Sequence, residues 1–286
     1  MFDARKIAIS TVKCIMQWRE NARMPLALLT IIVLSALCGG MYCASLWDTG
    51  QRLCAFEPFI ALLHDYRLAI AVMSTLLLIN MDAPFFSAND ALHIFRLGRF
   101  NWALGRIIYC SLVGFFIPFF LAGVVTLLLS PFTFFYNEWS PAAVALSQNM
   151  DAFRISGISY YFPPVISWDI IISMKPVAAI LWTCTLLGLI NASLTIIMMA
   201  LSMSYNRLIG VGMCIALILS GPFLQVFGKW SIYTNGMLSL HRLTDNTLTT
   251  TYPSLIHSII YFMVLLIIGT IAMLIRVSKH GYKWGE

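Results

Sequence analysis

Six apolar stretches alternate with shorter polar segments along this 286-residue chain. None of the stretches contains Asp, Glu, Lys or Arg, and five of them reach the length of about 20 residues that a helix needs to cross a bilayer. The second is shorter, so its helix must begin near Leu62 or continue past Asp82. The pattern predicts six transmembrane helices, within Met24–Trp47, Leu68–Met81, Ile107–Asn137, Pro176–Asn206, Leu208–Gly228 and Asn246–Ile275.

Composition supports the same class of protein. Hydrophobic residues make up 60% of the chain and charged residues only 10%, whereas roughly half of a soluble domain is apolar. Lipid offers no hydrogen-bond partner to a bare backbone group, and a helix satisfies its own N–H and C=O groups. We therefore expect an all-α polytopic membrane protein.

The distribution of Lys and Arg predicts the orientation, because these residues accumulate in cytoplasmic loops. With both termini in the cytoplasm, the inner segments hold twelve of them and the outer segments five. The net charge of +6 follows from this topology, so no nucleic-acid partner is expected. The inner residues are Arg5, Lys6, Lys13, Arg19, Arg23, Arg96, Arg99, Arg106, Arg207, Arg276, Lys279 and Lys283; the outer ones are Arg52, Arg154, Lys175, Lys229 and Arg242.

The segment 1–23 has the pattern of an amphipathic helix lying on the cytoplasmic surface of the membrane. Its polar and apolar residues recur at helical spacing on opposite sides. A solvated basic tail is the alternative. The polar side holds Lys6, Ser10, Lys13, Gln17 and Glu20, and the apolar side Ala4, Ala8, Val12, Ile15 and Trp18.

Arg67 lies about one turn inside the predicted outer boundary of the second span. Such a side chain commonly extends to the headgroups. The alternative is a polar residue at the outer mouth of a substrate route. Cys43 and Cys54 are the only cysteines in the first outer loop, where either a disulfide or two free thiols would fit.

The chain lacks the motifs of the common catalytic sites. It has no phosphate-binding loop, no HExxH and no GxSxG. His64 and His257 stand alone, so we expect packed side chains rather than catalytic groups. The centres of the six predicted spans lack charged residues, which argues against ion coupling; their polar groups are expected to join helices through hydrogen bonds. These groups are Asn80, Thr185, Asn191, Ser193 and Ser220. We predict that the chain is not an enzyme and holds no metal or cofactor.

The cytoplasmic segment 82–106, between the second and third spans, contains the strongest functional signal. Pro84 is expected to end the second span, and Asp90 is one of the residues that can cap a short helix there. Gly98 is expected to end that helix after about two turns. Leu92, Ile94 and Phe95 then project apolar surface beside Arg96 and Arg99.

An exposed apolar surface on a cytoplasmic loop requires a partner. A membrane protein without its own energy source requires one as well. A soluble ATPase docked on this segment satisfies both requirements.

With these features the sequence resembles the type-2 permease family of ABC transporters. The resemblance lies in the six-span layout, the amphipathic segment from Phe2 to Arg19, the sequence D-A-P-F at 82–85 and R-L-G-R-F-N-W at 96–102. It implies a connecting helix (1–23), a transmembrane domain (24–286) and a coupling segment (82–106). The residues implied to couple to the ATPase are Asp90, Leu92, His93, Ile94, Phe95, Arg96 and Arg99, and those implied on the connecting helix are Lys6, Lys13 and Gln17.

The resemblance also implies partners. Two permeases, identical or different, pack together over two ATP-binding subunits that carry ATP and Mg²⁺ and drive export. Small bacterial members often export antimicrobial peptides, which points to an amphipathic substrate and to the bacterial plasma membrane. The segment Ser130 to Lys175 is longer than is usual in the family.

Two other functions compete with the exporter. A secondary carrier or channel would work alone and use an ion gradient. A membrane-embedded enzyme or assembly factor would use acidic groups in the outer loops, where Glu138, Asp151 and Asp169 are the candidates.

Overall fold

The computed structural model describes residues 3–16, 23–47, 52–80, 94–148, 165–221, 228–243 and 252–279. This part of the chain is mostly helical, as the sequence predicts for an all-α protein. In chain order its helices are α1 (Ala4–Met16), α2 (Arg23–Trp47), α3 (Glu57–Leu62), α4 (Tyr66–Asn80), α5 (Arg99–Leu128), α6 (Pro141–Gln148), α7 (Trp168–Ser173), α8 (Pro176–Ser204), α9 (Arg207–Leu219), α10 (Ile232–Gly236) and α11 (Leu255–Lys279).

Four of these helices are long and apolar enough to cross a membrane: α2, α5, α8 and α11. Two more apolar helices, α4 and α9, are shorter. They lie in the second and fifth predicted spans, and the chain following each, residues 81–93 and 222–227, is outside the described part. The described helices thus indicate a membrane protein.

Helix α8 is the centre of the bundle. It packs against α5, α11, α9 and α4, and 78% of its apolar stretch is buried, against 22% in α11. A helix that is apolar on all sides suits this central position. The more exposed apolar faces of α2, α5 and α11 are suited to lipid.

The crossing of α5 and α8 depends on a proline inside α5. Pro118 has no N–H, so the Gly114 carbonyl four residues earlier lacks its helical donor. Asn191 of α8 donates to that carbonyl at 3.2 Å. This interhelical bond agrees with the role predicted for Asn191. It also requires a close approach, since a Cβ atom on Gly114 would lie 2.9 Å from the Ala192 backbone.

We expect Gly114→Val to destabilise the bundle by about 1–3 kcal/mol, because the added side chain meets backbone rather than a movable side-chain end. The measurement is the thermal unfolding midpoint in detergent. Gly123→Val is the matched control, since it adds the same residue to the same helix at a position with nothing within 4 Å. Equal midpoints for the two variants would contradict the close crossing.

Near the carboxyl end of α5 the chain forms a small parallel pair of strands. Strand β1 (Leu53–Cys54) pairs with β2 (Thr133–Phe134), with Leu53 opposite Thr133. Helix α3 follows β1 directly, and all six of its residues are buried. The predicted first outer loop is therefore partly inserted into the bundle.

Candidate functional site

Helix α1 is fixed to the amino end of α5 by polar contacts. Ser10 Oγ donates to the Trp102 carbonyl at 3.2 Å, and Thr11 Oγ1 donates to the Gly105 carbonyl at 3.1 Å. The Asp3 N–H donates to Asn101 Oδ1 at 3.1 Å. The polar side of α1 thus faces protein.

The opposite side of α1 is apolar and uncovered. Its large side chains Ile9, Val12, Ile15 and Met16 are each about half exposed or more. Val12 and Ile15 belong to the apolar side predicted from the sequence. A polar side on protein and an apolar side facing outward suit a helix at the membrane surface.

A single helical turn, residues 94–97, precedes α5 and presents Phe95 to the solvent. The Phe95 side chain is 91% exposed, whereas Ile94 and Leu97 are 7% and 8% exposed. Gly98 ends the turn as predicted, with a φ of 84° that favours glycine. Arg96 and Arg99 are both exposed beside Phe95.

One expectation for this segment was wrong. Ile94 does not project outward, because it joins a buried apolar cluster with Cys14, Trp102 and residues of α8 and α11. Periodicity in a four-residue turn cannot tell the anchoring side from the exposed side. Ile94 therefore holds the turn in place while Phe95 protrudes.

The other predicted site residues are distributed as follows. Lys6 and Lys13 are partly buried on α1. Arg67 is exposed at the start of α4, and its backbone N–H donates to the Asp65 carboxylate at 2.7 Å. Asp90, Leu92, His93 and Gln17 lie outside the described residues. The structure thus brings α1 together with the 94–99 segment, whereas Arg67 belongs to a different part of the bundle.

Arg106, expected in a cytoplasmic segment, is only 2% exposed. Its guanidinium carbon lies 5.3 Å from the centre of the Trp102 ring, within the range of a cation–π contact. Arg106 therefore packs within the protein near the amino end of α5. The spacing of Trp102 and Arg106, four residues apart on one helix, was the feature of the sequence from which this contact could have been predicted.

Two buried polar clusters were not predicted from the sequence, and the first lies beside β2 at the carboxyl end of α5. In the first, the Glu57 carboxylate is fully buried. Its Oε1 accepts from the Ser140 N–H at 2.6 Å, and its Oε2 accepts from Ser140 Oγ at 2.8 Å and from the Cys54 N–H at 3.3 Å. Burial raises the pKa of Glu57 to about 7, although these hydrogen bonds act to lower it.

The second cluster is centred on Asn235. Its Nδ2 donates to the carbonyls of Lys229 and Ser231 at 2.7 and 2.8 Å, which fixes the orientation of the amide. Its Oδ1 lies 2.7 Å from Ser258 Oγ and 3.2 Å from His257 Nδ1. His257 therefore packs, as predicted, within a polar network.

His241 extends this network. Its Nδ1 lies 2.8 Å from the Met237 carbonyl, and its Nε2 lies 2.7 Å from Ser258 Oγ. Burial lowers the pKa of His241 to about 4, so its ring is neutral at neutral pH and Nδ1 carries the hydrogen. The serine hydroxyl has one hydrogen to share between His241 and Asn235. Ser258 is fully buried, which suits a structural contact better than a nucleophile.

The remaining candidates do not assemble into a reactive centre. Glu138 is exposed, Asp169 is partly buried in the first turn of α7, and Asp151 is outside the described residues. Cys43 and Cys54 are both free thiols. Among the residues that the structure describes, no group of three His, Cys, Asp or Glu side chains could hold a metal ion.

Comparison with known proteins gave no match. No family model matches the sequence, and neither the curated proteins nor the solved structures contain a match.

Proposed function

We propose that this chain is the membrane subunit of an ATP-driven exporter, of the type-2 permease kind found in ABC transporters. It forms the substrate route with a second permease, identical or different, and is moved by separate ATP-binding subunits that carry ATP and Mg²⁺. The chain itself is not catalytic. The substrate is an amphipathic compound such as an antimicrobial peptide, and the location is the bacterial plasma membrane.

The observation that carries the proposal is the exposure of Phe95. A phenylalanine that is 91% exposed leaves a large apolar surface in water, which is favourable only when a partner covers it. Ile94 and Leu97 anchor the same turn, so the side chain is held in place rather than on a mobile loop. Arg96 and Arg99 add positive charge, which favours a partner pocket with an acidic rim.

The apolar contacts of α1 and the 94–97 turn connect the exposed Phe95 with the interior of the bundle. Ile94, Cys14 and Trp102 share one apolar cluster, and α8 and α11 contribute Met199 and Met273 to it. A displacement of the 94–97 turn therefore acts on helices that extend across the bundle. Interdigitated side chains transmit such displacements because their packing is dense.

The topology completes the proposal. Six spans with both termini cytoplasmic place α1 and the 94–99 segment on the inner side, because that arrangement puts twelve of the Lys and Arg residues inside and five outside. Helix α5, with 30 residues, is about 45 Å long, which is enough to separate the two ends of the bundle by a bilayer. The buried Glu57 cluster, beside β2 at the carboxyl end of α5, then lies near the outer side.

The decisive experiment is affinity purification from the native membrane in mild detergent, followed by mass identification of the bound proteins. We expect a nucleotide-binding subunit to co-purify, and Phe95→Asp to reduce its recovery at least tenfold, because a charge replaces the apolar contact. Phe135→Asp is the control, since Phe135 is also exposed, at 63%, but lies near the opposite end of α5. Equal recovery with both variants would refute docking at Phe95.

The same preparation tests the competing carrier. If the chain is recovered alone and transports substrate in liposomes under an ion gradient without ATP, the exporter proposal fails. Recovery of a second, different permease would identify a heterodimer.

A further inference from the structure

The buried Glu57 carboxyl joins three segments that are distant in sequence. It begins α3, it accepts the Cys54 N–H from β1, and it accepts two hydrogen bonds from Ser140, which is 83 residues away. The Ser140 hydroxyl also accepts the Ala143 N–H at 3.1 Å, in the first turn of α6. Residues 133–134 are already paired with β1, and the Glu57 side chain links the segment that follows, residues 137–148, to β1 and α3.

No basic side chain forms an ion pair with Glu57 within the described ranges. The titratable groups near enough to interact with it electrostatically are Tyr42 and Cys43 of α2 and Cys54 of β1. Each of these is neutral when protonated, so none offsets a carboxylate charge. The other charged residues on or next to the joined segments, Arg52 and Glu138, are exposed. Ionisation of Glu57 therefore places an uncompensated charge inside the protein.

The geometry can accommodate the proton without a movement of the backbone. In the ionised form the Ser140 hydroxyl donates to Oε2, over the observed 2.8 Å. In the protonated form the direction of that bond reverses: Oε2–H donates, the Ser140 oxygen accepts, and the serine hydrogen rotates away from the carboxyl. The Ser140 N–H continues to donate to Oε1 in both forms.

We propose that Glu57 is a proton-binding site that latches residues 137–148 onto β1 and α3, and that loss of its proton releases this segment to water. Release lets water solvate the carboxylate, which the closed form cannot do. The closed form therefore binds the proton more tightly than the open form. This proposal does not depend on the exporter function. The topology proposed above places Glu57 near the outer side of the membrane, so on that topology the latch responds to the pH outside the cell.

The direction of the pH effect follows from this difference. A carboxyl in water has its ordinary pKa, whereas burial raises the pKa of closed Glu57 to about 7. Between these two values the closed form holds a proton that the open form has lost, so the closed form becomes less favoured as the pH rises. The effect is absent below the ordinary pKa and reaches its limit above pH 7.

The test is hydrogen–deuterium exchange of the purified full-length protein at pH 5 and pH 8, with rates corrected for the intrinsic effect of pH. In the wild type we expect protection of residues 137–148 to fall at least roughly tenfold at pH 8, and that of α8 to remain unchanged. Between pH 5 and pH 8 the upper limit set by the ordinary and the raised pKa of the carboxyl is roughly 70-fold. Protection that is independent of pH in residues 137–148 would overturn the proposal, and this outcome needs no variant.

Glu57→Gln assigns the effect to this residue. Its amide can accept from the Ser140 N–H and donate to the Ser140 oxygen, but it cannot ionise, and its nitrogen cannot accept the Cys54 N–H. We therefore expect the variant to be less protected than the protonated wild type, and equally protected at both pH values. A pH dependence equal to that of the wild type would show that a different group titrates. If the glutamine variant does not fold, Ser140→Ala keeps the carboxyl and should weaken the latch at both pH values.

Discussion

Replacement of Asn235 by leucine is expected to lower the stability of this protein by roughly 3 kcal/mol, because the change removes both amide donors and the oxygen acceptor from a buried network. The Ser231 carbonyl keeps one donor in the variant, the backbone N–H of residue 235. The Asn235 amide donates to the carbonyls of Lys229 and Ser231, and its oxygen is within hydrogen-bond distance of Ser258 and His257. Leucine has the same number of side-chain heavy atoms in the same branched arrangement, so the variant creates no cavity and the loss would chiefly reflect hydrogen bonding. A chain of this size should show a fall of several degrees in its unfolding midpoint.

Ser258→Ala separates the contribution of the amide from that of the rest of the network. This variant keeps both hydrogen bonds from the Asn235 amide and removes only the hydroxyl shared with His241. We therefore expect it to cost about 1 kcal/mol, clearly less than Asn235→Leu. Thermal unfolding in detergent measures both, with Asn137→Ala as the control, an exposed asparagine whose loss removes a single exposed hydrogen bond, from the Val177 N–H. If Ser258→Ala proved the more damaging change, the hydroxyl rather than the amide would be the centre of this cluster.

The sequence predicted the helices well because lipid imposes a simple rule on composition. Every apolar stretch contains a helix of the described structure, and the break at Gly98 was located to the residue. Helix α5 begins at Arg99, eight residues before its charge-free stretch. The predicted stretch excluded Arg106, because a charged side chain is expected to be exposed to water. In the structure its guanidinium is buried against Trp102.

The buried polar clusters were not predictable in the same way. Glu57 meets Ser140 across 83 residues, and Asn235 meets Ser258 across 23. Periodicity describes one element at a time and contains no information on such pairings. The available signal was composition: Glu57 stands alone in the apolar run from Leu53 to Leu63, and an isolated acid there is costly unless the fold supplies donors.

Gly105→Val is expected to detach α1 from α5. A Cβ atom at Gly105 would overlap the Ser10 side chain and lie 2.9 Å from the Ile7 carbonyl. Because backbone as well as side chain is in the way, α1 must move as a whole. The bonds from Ser10 to the Trp102 carbonyl and from Thr11 to the Gly105 carbonyl would then be lost together.

Limited trypsin digestion measures this detachment, since α1 contains Arg5, Lys6 and Lys13. We expect cleavage within α1 to be at least tenfold faster in Gly105→Val than in the wild type. Gly123→Val, with open space at the same kind of substitution in α5, should leave the rate unchanged. An unchanged rate in Gly105→Val would mean that α1 is not held by this close contact.

The same variant separates two ways in which an ATPase could be coupled to the bundle. Phe95→Asp removes a surface contact, so α1 should remain protected from trypsin while the ATPase subunit is lost. Gly105→Val leaves Phe95 itself intact but disturbs the apolar cluster that Cys14 of α1 shares with Ile94. If the subunit still binds Gly105→Val but its ATPase activity no longer responds to substrate, Phe95 provides the attachment and α1 the transmission. Loss of binding in both variants would instead show that the turn at 94–97 depends on α1 for its position.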